Sequence, residues 1–256
     1  MKKKVTYEQP LNEHVRNLLR LEYLFEGITY RLKGPAAWDT RDVMRNLVEL
    51  AEFVIRYDLK PELLQDLAYH SQILQRWKTM PDVDTERLTG LLAKTDGLVA
   101  SLNNFDGQIL DNLAQHYLLN TIKQRASIPG GVSNSDLPNY HHWLQKSPKQ
   151  RQSEISDWLM PLTVLRDAVE FNLYMLRNSA IVSQEVAHSG FFQSKLDSDV
   201  EYQLIRVNLV PEHSSYPEIS GSKQRVTIRF FEQNNVKDRP TMSEQDVYFE
   251  LCCCMI

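Results

Sequence analysis

The spacing of apolar residues changes near Ser179, and this change constrains the fold more than any other feature of the chain. From about residue 12 to about residue 178, apolar residues recur every three or four positions, which places them on one face of a helix. After Ser179 apolar and polar residues alternate, which is typical of half-buried antiparallel strands. The sequence therefore predicts an α+β protein with its helices first and its sheet last.

The same change divides the chain into two predicted domains. Residues 11–180 are expected to form a helical domain of about seven helices, and residues 181–256 an antiparallel β-sheet domain. Residues 5–8 also have a β-favouring composition, so we expect residues 1–10 to add a strand to that sheet. At 256 residues the chain is long enough to bury a substantial core.

Polar residues and prolines mark the ends of several predicted helices. Asp39 is expected to cap the second helix and Asp136 a short helix before Trp143. Ser147 and Gln150 have the spacing of a capping box, and they precede a helix of about 30 residues. Pro161 lies inside that helix and is expected to bend it, because proline removes a backbone hydrogen bond.

A glycine pair separates the first five predicted helices from the last two. Pro129, Gly130 and Gly131 end the sequence SIPGG at residues 127–131. A Gly doublet after a proline allows positive φ angles or a close approach of another backbone. We therefore expect a shaped loop whose glycines have a structural role.

Three arginines lie at alternating positions of two predicted strands. Arg225 and Arg229 fall opposite the apolar residues of their strand, and Arg206 does the same on the preceding strand. We expect the three to share one open sheet face. Because grouped like charges destabilise a sheet, they need an acidic partner, either Glu250 within the protein or a ligand.

The net charge of the sheet region makes the grouping of these three arginines more significant. Residues 181–256 contain seven Lys and Arg against eleven Asp and Glu, a net charge of −4. The arginines are thus concentrated locally within an acidic region. Two interpretations stay open: a solvated face with internal ion pairs, or a binding surface for an anionic partner.

The composition and motifs argue against several functional classes. Formal charges of 29 Lys and Arg against 33 Asp and Glu disfavour general electrostatic capture of nucleic acid. No phosphate loop, dinucleotide fingerprint, nucleophile elbow or two-histidine metal motif is present, so we predict no catalytic residue, metal or cofactor. His141 and His142 project about 100° apart on a helix; one is expected to pack beside Trp143 and the other to face solvent or a ligand.

The remaining sequence features bear on the compartment. Cys252, Cys253 and Cys254 are consecutive, which suits neither a disulfide framework nor spaced metal ligands and indicates a reducing compartment. A terminal strand of small apolar residues explains them better than a modification site. No signal peptide or membrane-length apolar run is present, so we expect a soluble cytoplasmic protein.

Short motifs along nearly the whole chain resemble one family. They are YEQPLNE at 7–13, LRLE at 19–22, SIPGG at 127–131, DLP at 136–138 before His141 and Trp143, YPEISG at 216–221, IRF at 228–230 and FEL at 249–251. Together these blocks are similar to the ZapD family of bacterial cell division factors. The resemblance implies a helical domain joined to a β domain, a homodimer, and recruitment to the mid-cell division site.

The resemblance further implies a partner and a site. It implies direct binding to the tubulin-like division protein FtsZ, whose short acidic C-terminal tail enters a basic groove, and crosslinking of FtsZ protofilaments into bundles without catalysis. Carried over by motif, the groove residues are Arg20, Arg56, Arg125, His141, Lys223, Arg225 and Arg229. Where the family can place an arginine before the Gly-Gly loop, this chain has His116 and Tyr117, which reduces the positive charge expected there.

Nucleic-acid binding on the basic sheet face is the alternative function. It requires aromatic side chains interleaved with the arginines, so that bases can stack. Phe230 and Phe249 fall on the predicted inward face, which counts against it. No nucleic acid and no membrane are therefore expected among the partners.

Overall fold

The fold is known from a computed structural model that describes residues 4–81, 83–211, 213–222, 224–233 and 235–255, without the side chain of Ala114. The predicted α+β class is confirmed, with the helices first and antiparallel sheets last. The helices are α1 Glu13–Arg31, α2 Ala37–Arg56, α3 Leu59–Trp77, α4 Thr85–Asn103, α5 Gln108–Ala114, α6 Tyr117–Ala126, α7 Pro138–Leu144, α8 Pro148–Leu159 and α9 Thr163–Asn178. The strands are β1 Val5–Pro10, β2 Ile181–Ala187, β3 Phe191–Lys195, β4 Tyr202–Leu209, β5 Ser215–Ser222, β6 Arg225–Glu232, β7 Thr241–Met242 and β8 Val247–Met255.

The chain folds into two compact units. One comprises Arg20–Asn172, and the other contains the described residues before and after that segment. The first boundary falls within α1 and the second within α9, whereas the predicted domains meet at residues 180 and 181. No helix among the described residues is long and apolar enough to cross a membrane.

The first unit is held together by the apolar faces that the sequence predicts. Val43, Leu47 and Leu50 of α2 are buried, as are Leu63 and Leu67 of α3. Trp77 is 42% exposed and lies outside this core, although the spacing places it on the same face. The recurrence of apolar residues every three or four positions thus identifies the buried face of the helix. It does not show how far that buried face extends toward the end of the helix.

Two of the predicted helices are each divided in the structure. Residues 108–126 form α5 and α6, because His116 caps the start of α6 with its ring nitrogen as acceptor from the Leu119 N–H, 3.4 Å away. A short 3₁₀ turn, Met160–Leu162, separates α8 from α9 at Pro161. The predicted single helix of about 30 residues is therefore interrupted at this proline, which lacks the backbone N–H of an α-helical hydrogen bond; the bend stays a prediction.

The predicted helix caps have different outcomes. The capping box is confirmed, since Ser147 Oγ accepts from the Gln150 N–H and Gln150 Oε1 accepts from the Ser147 N–H. Asp39 is not the N-cap of α2; it lies in the first turn and accepts from the Ala36 N–H at 3.1 Å. Asp136 precedes Leu137, the N-cap of α7, so its predicted capping role is wrong.

A buried arginine joins α8 to segments far away in the sequence. Arg151 is 4% exposed and donates to Thr40 Oγ1, to the carbonyl oxygens of Pro35 and Leu144 at 3.0 Å, and to that of Lys146. These acceptors compensate for removing the guanidinium from water. The arginine therefore stabilises the start of α2 against the turn between α7 and α8.

The second unit contains two antiparallel sheets. Sheet A has the order β1-β4-β8-β2, which confirms that the N-terminal strand joins a sheet, and sheet B has the order β3-β6-β5 with β7 paired to β6. Alternating residues of both sheets form one core. Its fully buried members are Ala187, Ile205, Val207, Leu209, Val226, Ile228, Phe230, Val247, Phe249 and Leu251.

The division into two sheets corrects one sequence-based expectation. Arg206 does not share a sheet face with Arg225 and Arg229, because β4 belongs to sheet A and β6 to sheet B. Ile205 and Ile228 point into the common core, so the arginines of these two strands lie on opposite outer faces. Alternation identifies the faces of one strand but does not determine which strands pair.

Candidate functional site

The Gly-Gly loop has the shape that its sequence predicts. Gly130 has a φ of +72°, the left-handed region that glycine adopts without strain. A Cβ on Gly131 would lie 2.5 Å from the carbonyl oxygen of Arg125, so only glycine fits beside the end of α6. Both predicted uses of the glycine pair are present, one at each residue. Pro129 precedes them at an exposed position.

This loop forms one wall of a cleft in the unit Arg20–Asn172. The cleft has a volume of about 780 Å³ and lies between α2, α6, the loop and the start of α7. Its apolar lining comes from Trp38, Val48, Ile122, Ala126 and Val132. Charged side chains from α2 and α6 surround these, so the cleft is suited to a ligand with both apolar and ionic groups.

One of the predicted site residues lines this cleft: His141, which is exposed. Arg125 lies in the last turn of α6, next to the lining residues Ala126 and Ser127, but does not itself line the cleft. Arg125 Nη1 lies 3.6 Å from Asp136 Oδ1, and Ser133 donates to the same carboxylate at 2.9 Å. His142 is also exposed, so the expectation that one of the two histidines packs beside Trp143 is wrong. Of these two residues, His141 is thus open to a ligand in the cleft, and Arg125 already has one acidic neighbour.

Arg41 was not among the predicted site residues, although it lines this cleft. Its guanidinium carbon lies 5.3 Å from the ring centre of Trp38 and 5.1 Å from that of Tyr140. Its Nη1 donates to the carbonyl oxygen of Val132 at 3.0 Å. Burial raises the pKa of Tyr140 to about 12, with Arg41 opposing the shift, so the phenol stays protonated. The spacing of Trp38 and Arg41, three residues apart on α2, is the local signal for their contact; the contact with Tyr140 has none.

The other two predicted residues of this unit lie elsewhere on it. Arg20 is exposed on α1, and Arg56 is exposed as the last residue of α2. Neither lines the cleft. The structure therefore places only His141 of these four residues in the lining of the cleft; Arg125, Arg20 and Arg56 are exposed elsewhere in the same unit.

The outer face of sheet B carries the other predicted arginines. Arg225 and Arg229 are exposed on β6, the strand between β3 and β5. Across the ladder, Arg225 is paired in register with Lys195 of β3, and Arg229 with Glu218 of β5. Among the residues that the structure describes, no carboxylate lies within ion-pair distance of either guanidinium. Their positive charge is therefore available at the surface.

Aromatic side chains also lie on this outer face, which the sequence analysis missed. Phe191 is paired in register with Arg229 and is 41% exposed. Tyr216 and Phe231 lie at one end of the face, with their ring centres 6.2 Å apart. Phe230 and Phe249 point into the core as expected. The sequence did contain a signal for Phe231. Side chains alternate between the two faces along β6, so Phe231 falls on the same face as Arg225 and Arg229.

Arg206 has internal partners on the outer face of sheet A. Its Nε lies 2.9 Å from Glu8 Oε1, an ion-pair distance, although its N–H does not point along a hydrogen bond. Arg177 of α9 binds the same carboxylate with two hydrogen bonds, of 2.9 and 2.8 Å. The acidic partner of Arg206 is therefore Glu8, whereas Glu250 was the internal partner that the sequence suggested. Internal pairing favours a structural role for Arg206 over ligand binding.

Glu250 has partners of its own on the same outer face. Lys4 and Asn208 donate to its carboxylate, both at 2.7 Å, and these hydrogen bonds lower the pKa of Glu250. Arg225 and Arg229 belong to β6 in sheet B, whereas Glu250 belongs to β8 in sheet A. The outer face of sheet A is thus internally neutralised by Lys4, Glu8 and Glu250, unlike that of sheet B.

The remaining sequence predictions concern Lys223 and the cysteines. Lys223 lies outside the described residues. Cys252 and Cys254 are buried and Cys253 is half-buried in β8, and all three are free thiols. Burial raises the pKa of Cys253 to about 11 and that of Cys254 to about 12, so both stay protonated. Within the described segments no cluster of three His, Cys, Asp or Glu side chains is arranged to hold a metal ion.

Comparison with known proteins identifies relatives of full length. The model of the family ZapD, described as a cell division protein, matches residues 19–229. A cell division protein ZapD from Aromatoleum aromaticum is 36% identical over 252 residues, covering 98% of both chains. The ZapD of Methylococcus capsulatus is 35% identical over the whole of both chains, and that of Chromobacterium violaceum is 37% identical over 98% of this chain and 99% of its own.

Proposed function

Because the chain belongs to the ZapD family of cell division proteins, we propose that it binds FtsZ through the FtsZ C-terminal tail and crosslinks FtsZ protofilaments. The proposed setting is the cytoplasm at the mid-cell division site, where the protein promotes assembly of the Z-ring. The family membership supports cell division as the process. The charged surfaces of this chain support an acidic peptide as the ligand.

The observation that carries the proposal is the pair of arginines on β6. Arg225 and Arg229 are separated by four residues on one face, roughly 13 Å along the strand at 3.3 Å per residue. Lys195 adds a third positive charge beside Arg225, whereas Glu218 places a carboxylate across the ladder from Arg229. An extended peptide with carboxylates about four residues apart matches this spacing, and the planar guanidinium binds carboxylates with two hydrogen bonds.

The aromatic residues of the same face supply apolar contacts. Phe191 lies next to Arg229 in the register, and Tyr216 lies next to Phe231 at the end of the face. Such side chains can cover apolar residues that alternate with acidic ones in a peptide tail. The face therefore combines ionic and apolar contacts for one ligand.

Arg20, Arg56, Arg125 and His141 are proposed as further FtsZ contacts, carried over from the family by motif. His141 lines the cleft beside the Gly-Gly loop, and Arg125 is exposed in the last turn of α6 with Asp136 as a neighbour. Arg206 is the weakest of the proposed contacts, because Glu8 already neutralises it. Each of these residues is open to a separate charge-reversal test.

The first prediction concerns the β6 arginines. Arg225→Glu together with Arg229→Glu should weaken cosedimentation with FtsZ polymers by about tenfold or more, because two charge-assisted contacts become repulsive. The circular dichroism spectrum and melting temperature should stay native, since both side chains are exposed and unpaired among the described residues.

A matched control separates this effect from a change in net charge. Lys237→Glu with Arg239→Glu alters the charge by the same amount at exposed positions outside the strands. This control should cosediment like the unchanged protein. Native cosedimentation of the Arg225 and Arg229 double variant would refute the assignment of the site to sheet B.

A second candidate function is favoured by one observation. Phe191, Tyr216 and Phe231 share the outer face with Arg225 and Arg229, so bases of single-stranded nucleic acid could stack beside the cations. The net charge of −4 disfavours it. A gel shift with mixed single-stranded RNA and DNA at physiological salt distinguishes the two functions, and retention of the probe would favour nucleic acid.

A further inference from the structure

A histidine begins α6, and its ring forms part of the helix start. His116 Nδ1 accepts a hydrogen bond from the Leu119 N–H at 3.4 Å, and the His116 carbonyl oxygen accepts from the Asn120 N–H at 3.0 Å. The first N–H groups of a helix have no acceptor within it, so the ring supplies one of them. Leu119 is only 3% exposed, which limits the access of water to this region. The start of α6 therefore depends on a titratable side chain.

This cap requires the neutral form of histidine. Nδ1 can accept a hydrogen bond only while it has no proton, and in the neutral ring the proton is then on Nε2. In the imidazolium both nitrogens are donors, so the Leu119 N–H loses its acceptor. The N-terminus of a helix also has a partial positive charge, which repels a cation at this position. Protonation of His116 is therefore unfavourable for α6 for two separate reasons.

The ring has a second contact that suits its charged form. The centre of the His116 ring lies 4.5 Å from that of the Trp158 ring on α8, with the two planes tilted by 59°. A cation within about 6 Å of an indole ring is attracted by it. Trp158 can therefore hold the imidazolium after the hydrogen bond to Leu119 is lost, which gives the side chain a stable place in both protonation states.

Burial favours the neutral form of this ring. It is the largest cause that lowers the pKa of His116, with a hydrogen bond of its own backbone partly opposing the shift. The elements that contact His116 are α5, α6 and α8, whose nearest charged residues along the chain are Asp111, Lys123, Glu154 and Asp157. Lys123 is paired with Glu52 at 3.0 Å and Glu154 with Lys146 at 2.6 Å, so two of these charges are neutralised by partners.

The loss of this cap would act on one wall of the cleft. Ile122, Lys123 and Ala126 of α6 line the cleft, and Lys123 connects the helix to Glu52 of α2. The helix has only 10 residues. Because helices of this length are barely stable without tertiary contacts, a single cap has a large share in the stability of the first turn.

We propose that His116 is a pH-sensitive cap: its neutral ring closes the start of α6, and its protonated ring rests against Trp158 and leaves α6, with the cleft wall that α6 forms, loosened. The inference goes beyond the proposed function, because it concerns the state of the cleft wall whichever ligand binds there. The half-buried ring takes its proton from the solvent as the pH falls below about 6.5.

The test uses nuclear magnetic resonance of the full-length protein between pH 8 and pH 5. The ring shifts of His116 give its protonation state, and hydrogen exchange gives the protection factors of the Leu119 and Lys123 amides. As the ring gains its proton, both protection factors should fall by about three- to thirtyfold, the range that corresponds to the loss of a helix cap. Leu92, inside α4, is the control amide, and its protection should be the same in the unchanged protein and in the His116 variants.

Two substitutions of His116 separate the cap from other effects of pH. His116→Asn keeps a side-chain acceptor that does not titrate, so its Leu119 protection should stay high and change by less than about twofold over this pH range. His116→Ala has no acceptor, and its Leu119 protection should be low already at pH 8. Equal pH dependence of Leu119 in the unchanged protein and His116→Asn would overturn the inference, and so would a His116 ring that stays neutral down to pH 5.

The consequence for binding is tested at a single pH, so that effects of pH on FtsZ do not enter; this part rests on the proposed function. At pH 7.5, His116→Ala should cosediment with FtsZ polymers about threefold more weakly than His116→Asn, since only the second variant keeps the cap. Equal cosedimentation of the two would overturn the coupling between the cap and binding. If the unchanged protein does not cosediment either, the proposed function fails, whereas the Leu119 measurement still decides whether His116 is a pH-sensitive cap.

Discussion

At the scale of single residues, Gly131 has the least room for a side chain in the Gly-Gly loop. An added Cβ would meet the carbonyl oxygen of Arg125 at 2.5 Å and the Ile128 side chain at 2.8 Å. The Gly131 N–H donates to the Ile128 carbonyl, so the loop backbone cannot easily move away. This close approach supports the position of Arg125 at the end of α6.

Gly131→Ala should lower the free energy of unfolding by about 1 to 3 kcal/mol, because the new methyl group overlaps backbone atoms. Gly97→Ala is the matched control: it lies inside α4, and apart from the adjacent residues and the nearby backbone of that helix no atom lies within 4 Å of the added Cβ. That control should be neutral or stabilising by up to about 1 kcal/mol, since alanine favours helix more than glycine. Urea denaturation measures both, and equal effects of the two substitutions would contradict the packing argument.

The sequence predicts the structural role of a residue well when that role depends on the backbone close to it in the chain. The glycine pair and the Ser147 and Gln150 capping box act through nearby backbone groups, and both are confirmed; Pro161 likewise interrupts its helix through its own backbone. Arg151 shows the limit, because a charged residue in a helix is expected at the surface. It is buried since acceptors from distant segments surround it, and no local pattern reveals them.

At the scale of elements, α3 and α9 meet around a buried histidine. His70 of α3 is 3% exposed, with its ring centre 6.4 Å from that of Phe171 of α9. Its Nε2 has no hydrogen-bond partner among the described residues. Burial lowers the pKa of His70, with Asp66 partly opposing the shift, so protonation is resisted in the folded state.

The free energy of unfolding should therefore decrease as the pH falls below about 6.5, where the unfolded chain binds a proton that His70 resists. His116 has a lowered pKa as well, through burial, and contributes in the same direction. His70→Leu should reduce the decrease measured by urea denaturation between pH 7.5 and pH 5.5. His142→Gln, at an exposed position of α7, should keep the original profile. An unchanged pH dependence in His70→Leu would show that this histidine is not a source of it.

At the scale of the whole molecule, the candidate residues divide between two compact units. Arg20, Arg56, Arg125 and His141 belong to Arg20–Asn172, whereas Arg206, Arg225 and Arg229 belong to the unit with the sheets. Crosslinking of filaments requires at least two binding sites per particle. The proposed homodimer would meet this requirement, and paired sites would gain affinity on a polymer that displays many tails.

A mixed dimer tests this mechanism. One subunit with Arg225→Glu and Arg229→Glu, co-purified through a separate affinity tag with one unchanged subunit, should cosediment with FtsZ polymers but not bundle them, as seen by light scattering. The unchanged homodimer, carrying both tags, should bundle them. Full bundling by the mixed dimer, or a monomeric mass for the bundling species in sedimentation, would contradict crosslinking by paired sites.

The sequence by itself determined the α+β class, the family, the shaped glycine loop and the parity of residues along each strand. These follow from backbone geometry and local spacing, which are properties of neighbouring residues. Only the tertiary structure decided that β4 and β6 belong to different sheets, that Glu8 neutralises Arg206, and that Arg41 is held between Trp38 and Tyr140. Strand pairing and the partners of a charge depend on residues far apart in the chain, so local periodicity leaves them undetermined.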